Sequence, residues 1–501
     1  MSLKNYLTKN IKFLFFLLLG VLLSFSLTPY SYISLCFITF PLLLYLLKIN
    51  QFDSPSFFFI YGVIFSFGYF FSSLYWISYS LNFDPEVEIL KPFAIIILPL
   101  AISLFYGISF LILRKLFSFN FFYILNFSII LSLTEYFRSY LTGFSWNLFS
   151  YALSDELKSI QLLNIFGTFG VNFLAILLFS FPYLFFCKNK KKSFNRIIIF
   201  FSIISLNYIY GHERLKTNLE TKNQNVVIVQ PNKDLIEIAS LPEKYIENLI
   251  RISNPKEKNT DTIFLWPEGS YSHLNKKDLK KTIQENFKSN QKVILGGNTR
   301  DDIGNIYNTF LVYDSNGNII NQYRKIHLVP FGEFIPFENL IKILNLKKVT
   351  FGYQSFSKGT ERNILNINNN FILPLICYEI IDSGNLNISK KKFDVIFNIS
   401  EDAWFSRSIG THQHYAHSIF RSIEEGKHIY RSTNQGLSAS INPLGVVKSK
   451  MKPDMESVFV GGYEMLNKKT VFSVMGNLMF FFLILMAFLI QLFERRYFKI
   501  K

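Results

Sequence analysis

The chain has 501 residues and a formal net charge of +17 at pH 7. Of these residues, 50% are hydrophobic and 57 are Phe, and the mean hydropathy is +0.24. This composition is too apolar for a wholly soluble protein, and the length allows two or more domains.

Eight apolar runs are long enough to cross, or nearly cross, a bilayer, which takes about 20 residues of helix. They lie at 11–27, 32–47, 57–81, 93–113, 120–138, 164–186, 195–210 and 471–493. The runs at 32–47 and 195–210 are short for a span. We therefore predict a polytopic α-helical membrane bundle of eight spans, with seven in residues 1–210 and the eighth, followed by a cytoplasmic tail, in 471–501.

Basic residues mark the loops on one side of this predicted bundle. They precede the first run and follow the second, fourth, sixth and eighth, whereas the loop at 82–91 is net acidic. Since basic loops stay in the cytoplasm, both termini are predicted to lie inside and residues 211–470 to form an extracytoplasmic domain. The first run could also be a cleaved signal peptide, but 24–30 contains no small-x-small cleavage site, which favours an uncleaved helix.

Charged residues are few within the apolar runs. Glu135 and Arg138 lie one helical turn apart, which predicts a structural ion pair. Trp146, in the GFSWN segment that follows, is predicted to anchor a loop at the membrane interface. The net positive charge does not indicate nucleic-acid binding, because much of it lies in the predicted cytoplasmic loops and the lysines at 276–281 indicate a solvated helix face.

Residues 211–470 alternate short apolar β runs with polar helical patterns, which predicts an α/β layered domain. The predicted strands are Val226–Gln230, Thr262–Glu268, Lys292–Gly297, Asn308–Asp314, Phe371–Glu379, Asp394–Ser400, His428–Asn434 and Leu437–Pro443. The predicted helices are Glu243–Ile252, Lys277–Asn290 and His412–Gly426. In such domains, chemistry gathers where strands end and loops begin.

Three motifs at such positions carry a carboxylate, an ammonium and a thiol. Glu268 lies in WPEGS, Lys325 lies with Glu333 in RKIHLVPFGEFIP, and Cys377 lies in ICYEI as the only cysteine of the predicted outer domain. Acyl transfer through a thiol needs a base to form the thiolate and a positive charge for the oxyanion. Taken singly, each motif has a common alternative: a surface Glu or Lys, or a structural cysteine.

In their order and surroundings, these residues resemble the Glu–Lys–Cys triad of the nitrilase superfamily. Together with CYE, NISEDAWF (Asn398 to Phe405) and the pattern of spans, nearly the whole chain resembles the apolipoprotein N-acyltransferase family, a membrane-embedded branch of that superfamily. The resemblance implies a nitrilase-like αββα sandwich for the outer domain. The chain departs from the family pattern at Glu401, where Asn is usual. It also lacks the Trp that usually follows the turn at Gln230-Pro231-Asn232, so the substrate contact that the family makes with this Trp is not predicted here.

The resemblance also implies the chemistry. A fatty acyl chain would pass from a membrane phospholipid, through a thioester on Cys377, to the N-terminal amine of a diacylglyceryl-cysteine apolipoprotein, the last step of bacterial lipoprotein maturation. Glu268 would be the base, and Lys325 with the N–H of Tyr378 would stabilise the oxyanion, while Glu333 and Glu379 would support the site. The expected setting is the inner membrane with the catalytic domain in the periplasm, as a monomer without cofactor or nucleic acid.

Further residues are predicted to form a lid or to contact substrate. Phe334, Phe337 and Leu340 fall on one face of a short helix that could dip into lipid, although packing on the domain itself is the alternative. Trp404 is assigned to the same group, again with packing as the alternative. His412, His414 and His417 do not indicate a metal site, because they do not share one helix face and no Cys or acidic partner completes the set.

Two alternative functions are also compatible with parts of this pattern. A membrane-anchored nitrilase-type amidase would hydrolyse its acyl-enzyme with water, although eight spans are more than an anchor needs. A transporter or assembly scaffold would leave the outer domain inert, but the spans lack the intramembrane charges that mark an ion path.

Overall fold

The computed structural model describes residues 3–83, 88–116, 121–186, 190–271, 276–334 and 355–498. The chain divides into two compact units. The helical unit comprises Met1–Ser78, Pro92–Thr217 and Thr470–Lys501. The sheet unit comprises Tyr79–Lys91 and Asn218–Lys469.

Each of the eight predicted apolar runs forms a helix in the helical unit. These helices are α1 (Leu3–Ser24), α2 (Ser34–Ile49), α3 (Pro55–Leu74), α4 (Lys91–Arg114), α5 (Phe121–Thr142), α6 (Leu163–Ser180), α7 (Lys190–Leu215) and, at the carboxyl end of the chain, Leu478–Phe498. Within the described ranges, three helical segments are long and apolar enough to cross a membrane: Pro55–Phe83, Lys91–Arg114 and Leu163–Phe186. Shorter apolar helices cover Ile11–Ser24, Ser34–Ile49 and Leu478–Phe493.

The segment predicted as one helix over 471–493 is interrupted. Gly476 has a φ of 57°, a conformation that glycine adopts without a steric penalty. A short helix, Val471–Met475, precedes this glycine, and Leu478–Phe498 follows it.

Glu135 and Arg138 form the predicted ion pair, at 2.6 Å, and both side chains are fully buried in the helical unit. Arg138 also donates hydrogen bonds to the carbonyl oxygens of Phe144, at 2.8 Å, and Trp146, at 2.9 Å. Trp146 is 1% exposed. Trp146 therefore does not reach a membrane interface as predicted, because its side chain is buried and its carbonyl is held by the Arg138 guanidinium, whereas the interfacial position of the loop stays a prediction.

The sheet unit contains two six-stranded sheets. The first has the strand order β12-β1-β2-β3-β4-β5 and the second β11-β10-β9-β8-β7-β6. The strands are β1 (Glu220–Gln230), β2 (Thr262–Leu265), β3 (Gln291–Arg300), β4 (Ile306–Tyr313), β5 (Ile319–Arg324), β6 (Leu365–Ile367), β7 (Asn370–Ile376), β8 (Val395–Ser400), β9 (His428–Thr433), β10 (Ala439–Ile441), β11 (Val447–Lys450) and β12 (Ser457–Met465). All eight predicted strands are present.

Two strands, β2 and β7, end three residues earlier than the sequence pattern predicts. β2 stops at Leu265, two residues before Pro267, which has no N–H to continue a ladder. β7 stops at Ile376, because Cys377 begins a 3-10 turn, Cys377–Ile381. Glu268 and Cys377 therefore lie in the loop or turn that follows a strand, and not within the strand itself.

Helices cover the first sheet on its outer face. They are α8 (Leu235–Ser240), α9 (Pro242–Ser253) and α10 (Lys276–Asn286), and their apolar residues share a buried core with β1 to β4. The second sheet is accompanied by α11 (Ile409–Glu425). The Ser432 hydroxyl on β9 donates to the Val229 carbonyl on β1 at 2.9 Å, so the two sheets pack face to face.

Both sheets contain a parallel trio, β1-β2-β3 in the first and β7-β8-β9 in the second. Parallel strands end at one edge of their sheet, so the loops after them gather there. The residues that follow β2, β7 and β8 include Glu268, Cys377 and Glu401.

Candidate active site

The structure brings together the three residues singled out from the sequence. The Lys325 ammonium lies 3.5 Å from Glu268 Oε1, and the Cys377 thiol is within hydrogen-bonding reach of the same carboxylate. Glu268 is 9% exposed, Lys325 1% and Cys377 8%. A base, a cation and a thiol therefore share one nearly dry site in the sheet unit.

The backbone at Cys377 presents the thiol at a sharp turn. Its φ is 49°, in the left-handed region that a residue with a side chain rarely adopts. Such a conformation costs about 1–3 kcal/mol and persists only where the surroundings enforce it. Here Glu379 Oε2 accepts a hydrogen bond from the Ile376 N–H at 2.9 Å and closes the turn.

Glu268 has the surroundings of a general base. Asn308 Nδ2 donates to its Oε1 at 2.6 Å, and the backbone N–H of Glu401 donates to its Oε2 at 3.0 Å. Burial raises the pKa of Glu268, and the neighbouring Glu333 raises it further against the opposing effect of Lys325. A carboxylate with a raised pKa accepts a proton more readily than an exposed one.

Lys325 keeps its positive charge in this site. Its ammonium donates to Glu333 Oε1 at 2.9 Å, besides its approach to Glu268. Burial alone would lower the pKa of Lys325, but the carboxylates of Glu333 and Glu268 outweigh that effect and raise it. The residue is therefore a fixed cation, available to stabilise a negative oxygen.

Cys377 rests as a neutral thiol. Burial raises its pKa, and the Glu268 carboxylate raises it further, while Lys325 acts in the opposite direction. The thiolate must therefore form together with proton transfer to the base and does not accumulate beforehand.

Glu333 and Glu379, predicted as supporting residues, make different contacts. Glu333 Oε1 accepts from both Lys325 and Asn308, the second at 2.8 Å, so Asn308 bridges Glu333 to Glu268. Glu379 Oε1 accepts from the backbone N–H groups of 326 and 327, at 3.0 and 3.2 Å. Glu379 thus ties the loop after Lys325 to the turn at Cys377.

Tyr378, the second residue of that turn, is 7% exposed. Its ring lies 4.9 Å from the ring of His327, edge to face. His327 in turn lies with Nδ1 2.7 Å from Asp382 Oδ1. These contacts fix the side chain that follows the nucleophile.

Glu401, where the chain departs from the family pattern, lies against the base. Its carboxylate Oε1 accepts from the Ala403 N–H at 3.0 Å. Burial raises the pKa of Glu401 well above its ordinary value, and the nearby Glu268 adds to this. A neutral carboxyl, like the amide of the usual Asn, places no second negative charge beside Glu268.

The predicted lid falls mostly outside the described residues. Phe337 and Leu340 lie in 335–354, and Phe334 is partly buried. Trp404 packs against the core of the first sheet, and its ring lies 5.0 Å from the ring of Phe83, edge to face. These contacts match the packing alternative for Trp404.

His414 and His417 are buried, at 0% and 1% exposure. His414 Nδ1 lies 3.0 Å from Asp402 Oδ1, whereas His412 is partly exposed. In the part of the chain that the structure describes, no group of three His, Cys, Asp or Glu residues is placed to hold a metal ion.

Sequence reasoning missed four residues at this site. Asn308 contacts two of its carboxylates, and a second network behind Cys377 contains Ser400, Asp402 and Arg431. One signal in the sequence could have identified these four residues. Each is polar and lies in or directly after a strongly apolar strand, where a polar side chain without a partner would be energetically costly. The partners of these residues lie on other strands, and no local sequence pattern identifies the partners.

Two families match separate parts of the chain. Residues 19–181 match the apolipoprotein N-acyltransferase N-terminal domain, and residues 262–462 match carbon-nitrogen hydrolase.

Full-length relatives are similar across both parts. The apolipoprotein N-acyltransferase of Rickettsia prowazekii (strain Madrid E) is 31% identical, with 95% of this chain and 98% of the relative covered. That of Rickettsia typhi (strain ATCC VR-144 / Wilmington) is 31% identical, with 97% and 99% covered. That of Rhodopseudomonas palustris (strain ATCC BAA-98 / CGA009) is 29% identical, with 96% and 94% covered.

Among solved structures, a CN-hydrolase superfamily protein from Xanthomonas campestris aligns with 49% of this chain and 91% of its own. The identity is 16% and the TM-score 0.36.

Proposed function

The chain belongs to the apolipoprotein N-acyltransferase family and is an acyltransferase with a nitrilase-like two-sheet domain, and on that premise we propose how it acts. It takes a fatty acyl chain from a membrane phospholipid, holds it as a thioester on Cys377, and passes it to the N-terminal amine of a diacylglyceryl-cysteine apolipoprotein. The observation that carries this proposal is the convergence of Glu268, Lys325 and Cys377 in one buried site.

The first half-reaction acylates the thiol. Glu268 takes the Cys377 proton as the sulfur attacks an ester carbonyl of the phospholipid. The oxyanion of the tetrahedral intermediate lies beside the Lys325 ammonium and the backbone N–H of Tyr378. The intermediate collapses, Glu268 returns the proton to the leaving alcohol oxygen, and a lysophospholipid departs.

The second half-reaction releases the acyl chain to an amine. The acceptor's α-amine attacks the thioester carbonyl, Glu268 takes a proton from the nitrogen, and Cys377 leaves as a thiolate that recovers this proton. A thioester suits this step because amines attack it readily, and the low exposure of the three residues limits competition from water.

We place this chemistry at the outer surface of a bacterial inner membrane. The pattern of basic loops supports eight spans with both termini in the cytoplasm and residues 211–470 in the periplasm. In this arrangement the phospholipid donor and the lipid-modified acceptor are both held next to the domain that carries Cys377.

The test is a transfer assay on the purified full-length protein. Vesicles of phosphatidylethanolamine and phosphatidylglycerol with labelled acyl chains supply the donor, and a synthetic diacylglyceryl-cysteine peptide is the acceptor. We expect a triacylated peptide with the parent protein and none with Cys377→Ala. Release of free acid and ammonia from an added amide, with no acylated peptide formed, would instead indicate the amidase.

A further inference from the structure

Ser400 occupies a position at the site that the mechanism above does not use. It is the last residue of β8 and is fully buried. Its hydroxyl donates to Asp402 Oδ1 at 2.8 Å. In the parallel pairing of β7 with β8, Ile376 lies opposite Ile399, so Ser400 follows in register beside Cys377, where its hydroxyl can donate to the thiol sulfur. One hydroxyl therefore stands between the sulfur and a buried carboxylate.

Asp402 does not depend on that hydroxyl for its charge. Arg431 Nη2 donates to both of its oxygens, at 2.9 and 2.8 Å, and His414 Nδ1 lies 3.0 Å from Oδ1. Although burial alone would raise the pKa of Asp402, Arg431 and His414 lower it to about 2. The carboxylate stays ionised and satisfied even when Ser400 turns its hydrogen elsewhere.

The sulfur, in contrast, needs a donor when it becomes negative. Lys325 Nζ is already engaged by Glu333 at 2.9 Å and by Glu268 at 3.5 Å. Two carboxylates, Glu268 and Asp402, raise the free energy of a thiolate at Cys377. A buried, uncharged hydrogen-bond donor next to the sulfur would lower the free energy of the thiolate. Because it carries no charge, it would not bind the Glu268 carboxylate in place of the thiol proton.

We propose that Ser400 is a catalytic residue whose hydroxyl hydrogen turns from Asp402 Oδ1 to Cys377 Sγ whenever the sulfur carries negative charge. The Ser400 O–H bond is never broken. During acylation the thiol proton goes to Glu268 while Ser400 donates to the developing thiolate. During transfer the carbon–sulfur bond breaks, the sulfur keeps the electron pair, and Ser400 donates again until the proton returns from Glu268.

Ser400→Ala tests this role in the full-length protein. The rate at which iodoacetamide alkylates Cys377 is measured against pH, with the modified peptide identified by mass spectrometry so that Cys36 and Cys187 do not contribute. We expect the midpoint of the profile to rise by about one pH unit, the size expected for losing a hydrogen bond to a charged group. At pH 7 the rate should fall about threefold, because a thiolate of higher pKa is scarcer but more nucleophilic.

Two further variants separate a catalytic from a structural role. Ser400→Thr keeps the hydroxyl and should keep the parent midpoint. Ser383→Ala is the matched control, because the Ser383 hydroxyl also donates at 2.8 Å to a buried carboxylate, Glu424, which is paired with Arg421 at 2.7 Å. An unchanged midpoint in Ser400→Ala, or an equal shift in Ser383→Ala, would overturn the proposal.

The inference rests on the proposed function for its substrates but not for its test. Alkylation of Cys377 needs neither phospholipid nor acceptor, so the result for Ser400→Ala does not depend on the outcome of the transfer assay. If Cys377→Ala abolishes transfer while Ser400→Ala leaves the alkylation profile unchanged, the role of Ser400 fails and the thioester mechanism survives. If the Ser400→Ala midpoint shifts but Cys377→Ala still transfers acyl chains, the proposed function fails instead.

Discussion

Among single residues, Glu268 and Glu401 are neighbours in space, and we expect the first to act as an ionised base and the second to stay neutral. Glu268 must be ionised to accept the thiol proton, whereas burial keeps Glu401 neutral. Glu268→Gln should therefore slow formation of the acyl-enzyme by at least about 10²-fold, since the carboxylate that contacts the thiol and accepts its proton is removed. Glu401→Gln, which replaces one uncharged group by another, should leave the rate within about threefold of the parent.

Single-turnover acylation with labelled phospholipid measures both variants under the same conditions. The parent rate should also fall as the pH drops below the raised pKa of Glu268, because only the ionised carboxylate accepts the proton. Equal losses in Glu268→Gln and Glu401→Gln would argue that neither carboxyl acts as the specific base.

Lys325 is expected to act through its charge. Its ammonium is buried beside Glu333 and Glu268, at 2.9 and 3.5 Å. Lys325→Met keeps the aliphatic volume but leaves two carboxylates without a cation and removes an oxyanion donor. We expect acyl transfer to fall by about 10²- to 10³-fold, the usual cost of losing one such donor.

Steady-state transfer at saturating phospholipid measures this effect. Lys281→Met is the control, because Lys281 is 77% exposed and lies 3.8 Å from Glu285 on the surface of α10. If Lys325→Met retained more than about a tenth of the parent rate, the electrostatic role of Lys325 would be refuted.

At the scale of elements, Glu379 joins the turn at Cys377 to the strand and loop that carry Lys325. It accepts from Tyr323 at 2.5 Å and from Arg362 at 2.9 Å, and both the Glu379 and Arg362 side chains are almost fully buried. Glu379→Gln would leave the Arg362 charge without its counter-ion. Breaking a buried pair in this way destabilises by about 3–5 kcal/mol.

Thermal unfolding in detergent, followed by circular dichroism, checks this expectation. Glu456→Gln is the matched control, since its partner Arg251 is 63% exposed and such surface pairs contribute at most about 1 kcal/mol. A melting temperature lowered no more by Glu379→Gln than by Glu456→Gln would show that the buried pair does not hold the turn.

The elements differed in how far the sequence predicted them. Strands buried on both faces, such as β8, are continuous apolar runs and were predicted closely. β5, β6, β11 and β12 were missed, because strands near sheet edges expose polar side chains and lose the apolar signal, as β11 (Val447–Lys450) illustrates. The end of β7 was misplaced by three residues, because the left-handed backbone at Cys377 comes from tertiary contacts with no signature in the apolar pattern.

The residues of the active site also divide into those that the sequence predicts and those that only the structure reveals. Glu268, Lys325 and Cys377 were identified by motifs with a family resemblance. Asn308 and Arg431 were not, although Asn308 Nδ2 lies 2.6 Å from the Glu268 carboxylate and Arg431 Nη2 2.8 Å from that of Asp402. Which polar residue meets which carboxylate depends on strand order and register, and these follow from long-range pairing that one sequence does not reveal.

At the scale of the whole molecule, buried neutral histidines make stability depend on pH. Burial lowers the pKa of His417 well below its ordinary value and that of His428 to about 3. In the unfolded chain both would titrate near pH 6.5. The unfolded state therefore binds more protons below that pH, and each histidine removes about 1.4 kcal/mol of stability per pH unit as the pH falls from about 6.5.

Melting temperatures recorded from pH 7.5 to pH 4.5 test this dependence. His428→Gln removes one of these groups while keeping a polar side chain near Ser440, its partner at 2.8 Å. We expect a visibly shallower decline for this variant than for the parent. Parallel curves for the two proteins would mean that His428 does not contribute to the loss of stability in acid.

Cys377 is proposed to hold a fatty acyl chain as a thioester, and mass spectrometry of the acyl-enzyme can detect that chain on its own peptide. The purified protein is incubated with phospholipid vesicles in the absence of acceptor, denatured in acid and digested. We predict one acyl chain on the peptide that contains Cys377, removed by neutral hydroxylamine and formed at least about 10²-fold more slowly in Glu268→Gln. A peptide that stays unmodified while the same preparation acylates an added acceptor, or an acyl chain found on another residue, would contradict the account.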